Sequence, residues 1–218
     1  MATNVKTIEL LEIGVKYATI CIEGDSDLVL NKMNASSFRE LTADDRKKQK
    51  LWENQHINKW ERIITSLHWR DGIPVEDTNQ FCDEALFMEM LKNNAPCISA
   101  FGMKKSWGAA VTRNKIDQYS TKFDNAVNIT AKGGLIPVTF SDWSLDVRPM
   151  TGKGKNASAV TAMLNHFSGW SAEIPISFTE NVYSLSEIVT IINYAGFGVG
   201  VGSGRTSGYG RYKVVAVK

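Results

Sequence analysis

The stretch from Gly196 to Gly210, GFGVGVGSGRTSGYG, constrains this chain more than any other, because it gathers seven of the 17 glycines. Glycine at this density is needed where backbone takes positive φ angles or approaches other backbone closely. Two regular elements flank it. Ahead of it, Ser184-Leu185-Ser186-Glu187 has the form of a capping box, opening a helix with Leu185, Ile188, Val189, Ile191 and Ile192 on its apolar side. That helix is predicted to end at Ala195, with Gly196 as its C-cap. Behind it, Arg211–Val217 reads as a closing strand.

Nucleotide motifs do not fit this stretch. No Gly-x-x-x-x-Gly-Lys-[Ser/Thr] string occurs, and the spacing Gly-x-Gly-x-x-Gly fails at every glycine. The loop also follows a helix, whereas the dinucleotide motif follows a strand. What it does offer is exposed N–H groups for an anion, the guanidiniums of Arg205 and Arg211 for phosphates, and Phe197, Tyr209 and Tyr212 to stack on unpaired bases. A tight turn that lets a helix pack on a sheet, with Arg205 merely solvated, accounts for the same residues equally well.

Composition narrows the setting. A chain of 218 residues that is 43% apolar can bury a real core in one large domain or two small ones. No apolar run approaches the ~20 residues of a membrane span, and the start, MATNVKTIELLE, lacks the basic and apolar parts of a signal peptide. Cys21, Cys82 and Cys97 show no metal-type spacing. The expectation is a cytoplasmic protein with no disulfide framework, no cofactor and no metal. A formal charge of +2 hides an asymmetry: residues 1–94 hold 12 Lys and Arg against 16 Asp and Glu, while residues 95–218 hold 13 against 7. An acidic front and a basic rear suit an anionic partner.

Along the chain, Lys6–Ile22 reads as a strand and Leu28–Leu30 as a short return strand. Thr42 is a plausible N-cap for a helix reaching Trp69, with Leu51, Ile57, Trp60, Ile63, Ile64 and Leu67 as its stripe. A second helix is predicted over Thr78–Asn93, with Phe81, Ala85, Met88 and Leu91 inward. Ile98–Phe101 reads as a strand, and Gly102–Lys122 as a polar, basic excursion without clear period. Asn125–Thr130, Leu135–Phe140 and Trp143–Arg148 read as strands, and Met150–Ser158 as a loop carrying Lys153 and Lys155. Trp170–Phe178 is a further strand, which Pro175 places at a sheet edge.

The helix, the run Gly200-Val201-Gly202-Ser203-Gly204-Arg205-Thr206-Ser207-Gly208-Tyr209-Gly210-Arg211 and the last strand together resemble the C-terminal glycine-rich loop of the RAMP superfamily. These are CRISPR-associated proteins of the Cas5, Cas6 and Cas7 types. The same ending looks like that of uncharacterised bacteriophage proteins, which share a mid-chain Gly-Ile-Pro element, here Gly72-Ile73-Pro74. The resemblance implies an α+β fold, a ferredoxin-like (RRM- or RAMP-like) antiparallel sheet with helices and a helical insertion. It implies one RAMP-like domain over 1–218 with insertions near 31–70 and 102–122. It further implies that Gly202, Gly204, Arg205, Gly208, Gly210 and Arg211 line a surface for RNA or single-stranded DNA, and that homo-oligomers or filaments form on a strand, as Cas7-like relatives do. Cleavage is not implied: Cas6-type nucleases use a positioned histidine, and none lies beside this loop.

Other constellations are weaker. His56, His68 and His166 are too scattered for a zinc site. His166, after the basic loop and before Phe167 and Trp170, is the best candidate to move a 2′-hydroxyl proton, although a structural role is the commoner one. His68 reads as a helix-end or interface residue. Arg46-Lys47-Lys48-Gln49-Lys50 is a solvated helix face. Lys104, Lys105, Trp107 and Arg113 have the composition of an arm that tracks a nucleic-acid backbone, and Lys153 and Lys155 between glycines suit a clamp. The reading is a non-catalytic nucleic-acid binding protein of phage or CRISPR-related type in a bacterial host cell. The alternatives are a virion or assembly protein whose glycine loop only packs, or a metal-independent endoribonuclease using His166.

Overall fold

A computed structural model describes residues 13–32, 59–72, 82–151 and 159–218. The elements run β1 (Val15–Gly24), β2 (Leu28–Leu30), α1 (Lys59–Thr65), β3 (His68–Trp69), α2 (Glu84–Asn93), β4 (Pro96–Ser99), α3 (Ala100–Arg113), α4 (Thr121–Ala126), β5 (Val127–Ile129), β6 (Leu135–Thr139), β7 (Asp142–Thr151), β8 (Ala159–Ser168), β9 (Ser171–Thr179), α5 (Leu185–Gly198) and β10 (Tyr212–Val217). The main sheet has the order β10-β1-β9-β6-β4-β3, with β5 also on β9, and a second sheet is β2-β8-β7. Every pairing is antiparallel.

Taken in chain order, β1, α3, β5 with β6, β9, α5 and β10 form a strand-helix-strand-strand-helix-strand unit. Its first strand lies between the last and the third, with the second outside the third. This is the ferredoxin-like connectivity, and the fold is α+β as the sequence led one to expect. Outside that pattern lie the run from β2 to β4 and the long β7–β8 hairpin.

Alternation along the strands decides which face is covered. Ile20 and Ile22 of β1 and Ala172, Ile174, Ile176 and Phe178 of β9 are buried on one side, where α3 and α5 pack on the sheet and on each other. Each such isoleucine contributes about 1.5–3 kcal/mol by leaving water. On the other side, Tyr17 is 76% exposed. The capping box of α5 is formed, with Ser184 Oγ accepting from Glu187 N and the Glu187 carboxylate accepting from Ser184 N. Three polar side chains that enter the core are linked in a chain: Trp143 Nε1 donates to Asn165, Asn165 to Ser66, and Ser66 to the Ile63 carbonyl.

Several elements differ from their sequence reading. Gly102–Lys122, expected as an excursion and an insertion, holds most of α3 and the turn into α4. Its buried side is Met103, Ser106, Trp107, Gly108, Ala110 and Val111, and the two small polar-reading residues hide the helical period. His68 and Trp69 form a strand where the end of a helix was expected; of that helix only α1 lies within the described residues. On α2, Phe87 and Met90 face inward, while Ala85 and the 43%-exposed Met88 face out. Asp83 caps that helix by accepting from Leu86 N at 2.8 Å.

Gly196 is not a C-cap: it lies inside α5, where a Cβ would sit 2.0 Å from the Tyr212 carbonyl oxygen of β10. Pro175 does not mark an edge either, since β9 pairs with β1 on one side and with β5 and β6 on the other. Its carbonyl accepts from Thr130 N at 2.9 Å, so its nitrogen points the same way, to where β5 gives out. The missing N–H falls at that break and costs the ladder no bond. The helix expected before Lys59, the basic run Arg46–Lys50, His56 and the loop carrying Lys153 and Lys155 lie outside the described residues.

Candidate nucleic-acid interface

The glycine-rich loop leaves α5 at Val199 and reaches β10 through a short 3-10 turn at Arg205–Ser207. It is docked along its length. Ser106 Oγ of α3 donates to the Gly200 carbonyl at 2.7 Å, Ser203 N to the Val29 carbonyl of β2 at 2.8 Å, and Ser26 Oγ to the Gly208 carbonyl at 2.9 Å. Gly210 is buried, with φ +69° and a site where a Cβ would lie 1.8 Å from the Val201 carbonyl oxygen. Its N–H donates to Asp27 and its carbonyl accepts from Val201. So Gly210, expected to line a binding surface, is a packing residue. The loop's shape is fixed by its own backbone contacts.

That fixed shape presents one edge to a cleft of about 340 Å³ between the loop, the start of α3 and the ends of β2, β3 and β4. Lys32, His68, Lys105 and Arg205 line it, together with Ser99, Gly202 and Ser203, and among the described residues no carboxylate does. Burial pulls the Lys32 ammonium below its ordinary pKa. Burial, then repulsion from Lys32, pulls His68 below its own. Burial disfavours the charged form of both groups, and an anion bound between them would favour it. The first turn of α3 opens into the cleft through Ser99, Phe101 and Gly102. That turn carries no acidic residue and no side-chain cap, which leaves its N–H groups to an incoming acceptor. Among the described residues the Gly202 N–H has no hydrogen-bond partner.

The structure separates the residues that the sequence grouped. Arg205 is exposed, lines the cleft and has no acidic partner among the described residues. Arg211 points elsewhere, its guanidinium engaged with the Phe197 carbonyl at the C-terminal end of α5. The two arginines therefore do not bracket one seat. Gly204 is exposed and Gly208 half-buried. The Tyr209 ring rests against Gly204 and meets His166 edge to face at 5.0 Å, so it is occupied in holding the loop.

Trp107 is fully buried and donates to the Tyr212 hydroxyl at 3.1 Å. It cannot stack on a base, and the expected arm is a core helix. Lys104 donates to Asn128 Oδ1 at 3.0 Å, away from the cleft that Lys105 enters. Arg113 ends α3, about 20 Å along the helix from its start.

His166, the candidate base, sits on β8 at 7% exposure. Its Nδ1 lies 3.7 Å from Asp27 and its Nε2 3.7 Å from Asp146, while Arg148 in turn grips Asp146. The imidazole, set between β2 and β7 and against the Tyr209 ring, packs the hairpin against the loop. Sequence reasoning missed Lys32 and gave His68 only an interface role. Neither carries a local signal, because the cleft draws its charges from four remote segments.

A ferredoxin-like domain with a docked glycine-rich loop before its last strand, beside a cationic cleft, defines the class of this molecule. Among solved structures it is similar to a chain in the cryo-EM structure of the type III-B Cmr-beta bound to cognate target RNA. The TM-score is 0.50 at 14% identity, over 94% of this chain and 60% of that one. The chain thus spans about three fifths of the length of that neighbour, and the likeness is one of fold. It agrees with the ferredoxin-like fold that the loop's resemblance implied. Cmr6 from Pyrococcus furiosus also aligns, with TM-score 0.36 and 12% identity over 94% of this chain and all of that one; at that score it adds nothing. No protein-family model and no curated protein matches the chain.

Proposed function

We propose that this chain is a single RAMP-like domain of phage or CRISPR-related type that binds RNA or single-stranded DNA without cleaving it. One observation carries the reading: Lys32, His68, Lys105 and Arg205 converge on a cleft that no carboxylate lines among the described residues. That is the footprint of a polyanion site. The neighbour's target RNA supports the choice of ligand by analogy of fold, which alone assigns no function. The enclosure of His166 supports binding without chemistry. Among the described residues no helix is long and apolar enough to cross a membrane, and the proposed place of work is the host cytoplasm.

Fluorescence anisotropy of labelled single strands over a salt series tests this. Binding whose logarithm falls linearly with log salt, and which Arg205→Ala weakens, is expected. No binding at low salt would overturn it. Intact RNA after prolonged incubation, in wild type and His166→Ala alike, is the expected product analysis.

A second reading, a structural or assembly protein, is favoured by apolar side chains exposed on the main sheet, where Tyr17 is 76% and Val215 46% exposed. Self-association in sedimentation that Tyr17→Glu abolishes, with no nucleic-acid binding, would choose it.

A further inference from the structure

Large apolar side chains exposed singly are ordinary on a protein surface. Phe101 is not in ordinary company. It is 72% exposed in the first turn of α3 and lines the same cleft as Arg205, Lys32 and Gly202. The Lys105 ammonium stands over its ring, 5.4 Å from the centroid. Other exposed aromatics, Phe197 at 84%, Tyr17 at 76% and Tyr119 at 64%, do not line the cleft.

We infer that Phe101 is the base-stacking platform of this cleft and makes it selective for unpaired nucleotides over bare polyanions. The inference rests on the reading of the cleft as a nucleic-acid seat and adds how a base is held there. A phosphate chain alone would be met by cations and N–H groups, and an open phenyl face would only add apolar surface to water. The same face beside those cations suits a ligand that carries a flat π-system within one nucleotide's reach of its phosphate. Lys105 links the two parts. It polarises the ring from one side, and it stands close enough to turn to a phosphate when a base arrives. A base inside a duplex has both faces stacked and cannot reach the ring. The platform therefore takes a single strand.

The test compares a labelled uridine-rich RNA strand with an abasic strand of the same length, against wild type, Phe101→Ala, Phe101→Trp and Arg205→Ala. Far-ultraviolet circular dichroism checks each fold, and the exposure of Phe101 makes its loss harmless to the core. Wild type is expected to hold the base-bearing strand about tenfold more tightly than the abasic one. Phe101→Ala brings the two strands to parity with an unaltered salt slope, and Phe101→Trp restores the preference. A Phe101→Ala protein that keeps the preference overturns the inference. So does one whose salt slope drops by about one, because the ring would then act only through Lys105. If Arg205→Ala weakens binding and Phe101→Ala does not, this inference alone falls. If no variant alters binding, the seat itself is wrong.

Discussion

Single residues show most clearly what the glycine-rich stretch is for. Gly196 lets α5 press on β10, where any side chain would strike the Tyr212 carbonyl. Gly196→Ala is therefore expected to lower stability by about 1–3 kcal/mol, although alanine favours a helix by ~1 kcal/mol. A urea midpoint that stayed level or rose would refute the close approach. The density of glycine was legible in the sequence; its cause was not, because the carbonyls these residues make room for, on β2, on β10 and within the loop itself, come close only on folding. The arginines behave likewise. Both looked free in the sequence, yet only Arg205 faces the cleft, while Arg211 is bonded to the end of α5. Arg205→Ala should reduce the slope of log affinity against log salt by about one, and Arg211→Ala should leave it unchanged. Equal effects would mean that the two guanidiniums share a ligand after all.

Among the elements, α5 and β10 were readable because a capping box and β-branched alternation are local signals. The helix α3 was not. Its inner side is built from Ser106, Gly108 and Ala110 around Met103, Trp107 and Val111, and its outer side from lysines, so the apolar period is too faint to see. The small residues have a purpose: Ser106 reaches the Gly200 carbonyl, and the helix seats the loop. Trp107 then joins it to β10 through the Tyr212 hydroxyl, which burial drives to a much raised pKa. Trp107→Phe leaves that hydroxyl short of its indole donor and should cost about 1–3 kcal/mol. Trp107→Ala should cost about 3–5 kcal/mol. A solvent-facing tryptophan would alter stability by only about 0.5 kcal/mol, so the denaturation midpoints of these variants decide whether α3 is a core helix or an arm.

At the scale of the whole molecule, the charge asymmetry of the two halves does not map onto two faces. The cleft takes Lys32 and His68 from the acidic half and Lys105 and Arg205 from the basic half, and folding alone assembles it. That assembly ties stability and binding to pH with opposite signs. Burial, and then Lys32, hold His68 below its ordinary value of 6.5. The unfolded chain binds that proton more readily than the folded one, so this group's contribution to stability is full above about 6.5 and is lost as pH falls through the lowered folded value. A phosphate in the cleft reverses the balance by favouring the imidazolium, so binding takes up a proton. Affinity for single strands should therefore rise as pH falls from 7 towards 5.5, while the melting temperature of the free protein falls. His68→Gln should flatten the first dependence and weaken the second. Calorimetric titration in two buffers of different ionisation enthalpy counts the protons directly. A count of zero at pH 6 would place the bound anion out of reach of His68 and remove the cleft as its seat.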